Sequence, residues 1–412
     1  MRKMRLLATL VCLLALAACG RVHGVLIPTG AQAPGTSRVD MLVATTRSDL
    51  GAAQGEMFTG ERGEGVGFAD IAVSIPPDSA RQVGDVQFPQ SLPADPMRDF
   101  VTLEADRLSK GAALARLNAR LAHTPRRQVL VFVHGYNNRF EDAVYRFAQI
   151  VHDSGADALP VLFTWPSRGR LLQYGYDHDS ASFSRDALER VLQALARDPS
   201  VGEISILAHS MGNWATIEAL RQMAIRDRGL PTKIANVMLA APDVDFDVFR
   251  RQVAEIGSAA SRFYVFVARD DAALAISRRV WGDKPRLGAI DPEAAPYNQL
   301  LEQDKISWVD LTGVGSDDPL RHGTFASAPG VVRAIGGRLA GGQTLGEHGG
   351  VGLKIGQVAT GAVGAVGAAA GAAVAAPFVL VDPESRDNFG DSFERVGSGL
   401  GEALGAGASF GK

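Results

Sequence analysis

Ser205-Ile206-Leu207-Ala208-His209-Ser210-Met211-Gly212-Asn213 is an apolar run that halts on a serine with a small residue two positions to either side. Just downstream, Trp214, Ile217, Leu220 and Met223 recur at helical spacing. A strand that turns directly into a helix through small-x-Ser-x-Gly brings two backbones close together, and only small side chains fit beside the crossing. The serine is then held in a tight turn above the sheet edge. There it meets the free N–H groups and partial positive charge of a helix N-terminus. Ser210 is the leading candidate nucleophile, with Ala208 where glycine is more usual. Alone, the same serine reads equally well as a helix N-cap, so the order of the surrounding elements has to decide.

That order is regular from Arg127 onward. Val129–Val133 is a continuous apolar, β-branched run, the pattern of a strand buried on both faces. Phe140, Val144, Phe147 and Val151 then form a helical stripe, and Leu159–Trp165 is a second strand closed by Pro166. Phe183, Ala187, Val191 and Leu195 mark a second helix before the strand that ends at Ser210. Ile234–Ala240, Phe263–Ala268 and Trp308–Leu311 continue the series. Upstream, Val39–Ala44, Val66–Ile75 and Phe100–Leu103 are short strand-like runs between Gly- and Pro-rich turns. The expected fold class is α/β: a mostly parallel, doubly wound sheet with an antiparallel N-terminal extension, spanning residues 39–335.

In such sheets ligands sit at the carboxyl ends of the strands, and that is where the reactive side chains fall. His134-Gly135-Tyr136 follows the first strand of the regular series, and Ser210 follows the third. Asp243 follows the fourth, Asp270 and Asp271 the fifth, and His322 lies after the sixth. Serine, then acid, then histidine is the chain order of the α/β-hydrolases. Phe132-Val133-His134-Gly135-Tyr136-Asn137, Phe163-Thr164-Trp165-Pro166-Ser167, Ala208 to Asn213, Ala241-Pro242-Asp243 and Asp271-Ala272-Ala273-Leu274 match in order. On these motifs the chain from about Val39 to Arg333 resembles that superfamily, and within it the bacterial esterase/lipase-like proteins of unassigned substrate.

The resemblance implies a serine hydrolase of carboxylic esters. Ser210 would be the nucleophile, His322 its base and Asp271 the acid, since Asp271 occupies the family's Asp-x-Ala-Leu motif. Asp270 and Asp243 stay open as alternative acids. The backbone N–H groups of Tyr136 and Met211 would form the oxyanion hole. His134 reads as a structural hydrogen-bonding residue, and His209 as turned away from the nucleophile by strand geometry. His178, in Gln173 to Asp179, is the rival base and otherwise pocket wall. Trp165, Tyr136, Tyr174, Tyr176 and Trp214 are candidate pocket residues. Amide or thioester hydrolysis and acyl transfer use the same three side chains and remain alternatives. So does a non-catalytic envelope interaction protein. No His-Glu-x-x-His, phosphate-binding glycine loop or cysteine cluster is present, and the expected chemistry needs no metal or organic cofactor.

The ends of the 412-residue chain address location. A basic start, Met1-Arg2-Lys3-Met4-Arg5, precedes an apolar run from Leu6 to Ala18, which reads as a secretory signal too short to stay as a span. Leu16-Ala17-Ala18-Cys19 resembles a bacterial lipobox, which implies cleavage before Cys19 and a lipid on its thiol. Gly20 in place of an aspartate favours the outer membrane, facing the periplasm. The only other cysteine, Cys12, lies inside the signal, so no disulfide is expected. The domain scheme is residues 1–18 signal, 19–38 tether, 39–335 hydrolase domain and 336–412 a Gly/Ala-rich tail. The tail reads as flexible or partly helical, with a membrane-inserted or self-associating helix as the alternative. A net charge of −3 offers no footprint for nucleic acid, and the expected partners are a small-molecule or lipid ester and the membrane.

Overall fold

The computed structural model describes residues 22–341, except 31, 52–55 and 317, together with 353–354. The strands are β1 (Ser37–Asp49), β2 (Phe58–Ile75), β3 (Val101–Leu108), β4 (Gln128–Val133), β5 (Leu159–Thr164), β6 (Glu203–His209), β7 (Ile234–Ala240), β8 (Phe263–Val267), β9 (Ser307–Asp310) and β10 (Leu353–Lys354). They form one sheet in the order β10-β9-β8-β7-β6-β4-β5-β1-β2-β3. Every neighbouring pair from β10 to β1 is parallel, and β2 is antiparallel to both β1 and β3. The α/β class and the mostly parallel sheet are therefore as expected. The N-terminal extension differs in one respect: β1 runs parallel to β5, so the direction reverses only at β2.

Helices cover both faces: α1 (Lys110–Leu121), α2 (Phe140–Ser154), α3 (Tyr174–Arg197), α4 (Gly212–Asp227), α5 (Phe246–Ile256), α6 (Ala272–Val280), α7 (Tyr297–Gln303), α8 (Thr324–Ser327) and α9 (Pro329–Gly341). Side chains alternate across each strand, which divides the apolar core in two. Val129, Val131, Ile204, Ile206, Val237 and Leu239 face one layer, with α3, α4 and α5. Leu130, Phe132, Leu162, Leu207 and Met238 face the other, with α2 and α9. Of the stripe expected on α3, Ala187 and Leu195 are buried and Val191 half-buried, but Phe183 is exposed, and Leu188 and Leu192 complete the buried face.

Part of the segment 19–38, expected as a tether, packs into the fold. Val25 and Leu26 are buried in the second core, and the Val25 carbonyl accepts from Thr102 Oγ1 and Tyr145 Oη. Residues 19–21, and with them Cys19, lie outside the described residues, as do the signal segment and 342–352 and 355–412 of the tail. Helix α9 carries the folded unit past the expected boundary at 335 to Gly341.

Candidate active site

At the carboxyl end of the sheet, β4 is flanked by β5 on one side and β6 on the other. The chain adds β5 on one side of β4 and then crosses to add β6 on the other, and this switch opens the crevice where α/β folds hold ligands. The loops after β4 and β6 line it, and the sequence of each explains its shape.

Ser210 leaves β6 with φ of +54°, a left-handed conformation uncommon outside glycine. Neighbouring backbone holds it there: Ser210 N–H donates to the Ala240 carbonyl at 3.0 Å, and its own carbonyl accepts from Asn213 N–H at 3.1 Å and Asn213 Nδ2 at 2.9 Å. Such strain costs about 1–3 kcal/mol and persists only where surroundings over-determine it. The small residues have the purpose the sequence suggests. A Cβ on Gly212 would lie 2.3 Å from the His134 carbonyl oxygen, and one on Gly135 would lie 2.8 Å from Ser210 Cβ.

The side chains expected as acid and base come from farther along. Asp271 caps α6, accepting from Leu274 N–H through Oδ1 at 2.9 Å, and its Oδ2 lies 2.7 Å from His322 Nδ1. The loop carrying His322 is tied to the start of α6 by Ala272 N–H donating to the Leu320 carbonyl at 3.0 Å. Asp318 fixes its bend by accepting from Leu320 and Gly323 N–H. Burial would lower the His322 pKa, but the charge and hydrogen bond of Asp271, with Asp243 and Asp318 beyond, outweigh it and raise the imidazole above its ordinary value. With Nδ1 on the carboxylate, Nε2 is the nitrogen free to accept a proton.

The alternative acids sit elsewhere. Asp270 is paired with Arg321 and accepts from Gly313 N–H at 3.0 Å. Asp243 accepts from Tyr174 Oη at 2.5 Å and Ser277 Oγ at 2.6 Å, with Arg286 Nε 3.5 Å away. It lines the cleft, and its N–H donates to the Ser210 carbonyl at 3.3 Å, which ties the pocket wall to the elbow, the tight β6–α4 turn at Ser210.

Ser210 and His322 line one cavity of about 170 Å³ together with Tyr136, Tyr174, Leu274 and Trp281. Leu171, Ile276, Val280 and Leu320 make most of its remaining wall apolar. Of the aromatic residues expected there, Tyr136 and Tyr174 are in the lining. Trp165 is instead wholly buried and stacked on His134, Tyr176 packs under Arg168, and Trp214 meets His178. Trp281, outside the sequence-based set, takes the place of Trp214. His178 lies in the first turns of α3 between Trp214 and Trp281, and of its segment only Tyr174 lines the cavity.

His134 is a closed structural unit. Its Nδ1 donates to the Gly135 carbonyl at 2.8 Å, and its Nε2 accepts from Trp165 N–H at 3.1 Å. Burial, reinforced by the Arg47 charge, pushes its pKa down to about 3. The Gly135 carbonyl also accepts from Asn138 Nδ2 at 3.3 Å. In a trans peptide, the Tyr136 N–H must then point the opposite way. Met211, after Ser210, is the N-cap of α4, so its N–H is among those a helix leaves without an internal partner.

Two features escaped the sequence reading. His209 packs on His322: its ring centroid is 4.8 Å from that of His322, and its Nε2 donates to the His322 carbonyl at 3.1 Å. The second is Arg47, near the end of β1. Its guanidinium, pulled down to about 10 by burial, donates to Thr164 Oγ1 and to the carbonyls of Thr59, Ser167 and Asn138. The only sequence signal for it was the run Thr45-Thr46-Arg47, where an apolar strand turns polar.

A sheet of this order, with a strained serine after its β6 strand, defines the α/β-hydrolase class. The chain belongs to the family described as alpha/beta hydrolase of unknown function (DUF900), whose model matches residues 109–338. No curated protein matches it.

Proposed function

We propose that this protein is a serine hydrolase that cleaves carboxylic esters through an acyl-enzyme and is anchored by Cys19 in a bacterial cell envelope. The observation that carries the reading is the placement of Ser210 and His322 in one cavity, with His322 Nδ1 held 2.7 Å from Asp271. His322 Nε2 takes the Ser210 proton as Oγ attacks the ester carbonyl. The Met211 and Tyr136 N–H groups receive the oxyanion. As the tetrahedral intermediate collapses, the imidazolium returns its proton to the departing alkoxide, leaving acyl-Ser210. Water, deprotonated by the same His322, then releases the carboxylic acid. Asp271 fixes the tautomer and stabilises the imidazolium throughout. The apolar wall suits the acyl chain of an ester.

Labelling with a fluorophosphonate and hydrolysis of p-nitrophenyl butyrate test the reading. Ser210→Ala should abolish labelling and lower turnover by at least about 10³-fold. A Ser210→Ala protein as active as wild type would refute it. Labelling without ester turnover would move the reading to amide or thioester substrates or acyl transfer, and no labelling would favour a non-catalytic envelope protein. Anchoring is tested separately: Cys19→Ser should leave the membrane fraction.

A further inference from the structure

A second cavity, of about 280 Å³ and thus larger than the catalytic one, shares no lining residue with it. Helix α1 packs on β2 and β3, and α3 on β1 and β2. Between the two helices the sheet is left as the floor of a trough, made of Leu42, Ala44, Phe68 and Val161, with Leu117 and Leu195 as walls. Apolar surface in a trough of this kind is unfavourable in water and favours an apolar occupant. Among the described residues lining it, the only charged ones are Lys110 and Arg190, both exposed and both cationic. Ser109 caps α1 immediately before Lys110, so the partial positive charge of that helix end has the same sign.

An occupant that satisfies both parts has one extended hydrocarbon chain and an anionic head. We propose that this trough is a binding site for a single-chain acyl amphiphile with a carboxylate or phosphate headgroup, its chain on the β1–β2–β5 floor and its head at Lys110 and Arg190. The site stands apart from Ser210 and does not depend on the hydrolase reading.

Isothermal titration calorimetry of the full chain with dodecanoate, dodecyl phosphate and dodecyltrimethylammonium, each below its micellar concentration, tests this. At least one anion should bind, and which of the two binds more tightly identifies the head. The cation of equal chain length should bind at least about tenfold more weakly. The double variant Lys110→Glu/Arg190→Glu changes only exposed side chains, so it should keep the wild-type melting temperature and lose about tenfold or more in anion affinity. Ala113→Trp, which fills the trough, should abolish binding. Equal binding of the cation, or unchanged anion affinity in the folded charge-reversed protein, would overturn the proposal.

Discussion

His322 is pulled two ways, by burial toward neutrality and by Asp271 toward charge, and the carboxylate wins. As the base of the proposed mechanism His322 must be neutral to accept a proton, so kcat/KM should rise with pH through an apparent value above 6.5. Asp271→Asn should lower kcat/KM by about 10²–10⁴-fold and move that limb downward, whereas Asp270→Asn, whose partner is Arg321, should leave the limb in place. Pre-steady-state or initial-rate pH profiles check both. The same shift carries a stability consequence. A histidine whose folded pKa is raised contributes stability in full below about 6.5, and that contribution is lost as pH rises through the folded value. The melting-temperature difference between wild type and Asp271→Asn should accordingly shrink at alkaline pH. His209 acts one step back, through the His322 backbone. His209→Phe keeps a ring against Phe325 but loses the donor at 3.1 Å, and should cost about tenfold in kcat with KM little changed.

At the scale of elements, what matters is how closely the β6–α4 crossing approaches the loop after β4. Gly212→Ala would set a methyl 2.3 Å from a backbone oxygen that belongs to the His134 hub, and should destabilise the fold by about 3 kcal/mol. Arg47 joins β1 to the loops after β4 and β5. Arg47→Met would leave one buried and two half-buried carbonyls without their donor, at a cost of about 3 kcal/mol, and Arg47→Lys should not restore the fork. Denaturant titrations of the three variants measure these effects. This contrast also explains what could be read beforehand. The elbow is legible because its constraint is local: small residues two positions either side of a serine, between a strand and a helix. The His322–Asp271 contact joins loops 51 residues apart and came from motif order, which gives the residues but not the distance. Arg47 was illegible because its partners are backbone carbonyls, which leave no mark in a sequence. Helix α1 was missed as well, since Ala113, Leu117 and Leu121 form too narrow an apolar stripe among alanines and arginines to stand out.

Over the whole molecule, two apolar cores lie on opposite faces of one sheet, and the cleft sits at the strand ends between them. Their composition sets how much chain the site requires. The N-terminal limit is fixed by Val25 and Leu26, which are buried, and by the Val25 carbonyl that closes a hydrogen-bonded set with Thr102 and Tyr145. At the other end, α9 packs on α2, where a Cβ on Gly336 would collide with the Ser154 carbonyl at 1.7 Å. Cutting inside either limit should therefore cost stability, whereas a chain of residues 22–341 keeps both cores and every residue assigned to the site. That shortened chain should hydrolyse a short, soluble p-nitrophenyl ester with kcat/KM within about twofold of the full protein, because buried contacts and not sequence position decide tolerance to truncation. A chain of residues 39–341 should lose the Val25 and Leu26 burial, worth about 3–5 kcal/mol, and melt at a lower temperature in calorimetry. Equal melting of the two shortened chains would mean that the segment before β1 only rests on the core instead of completing it.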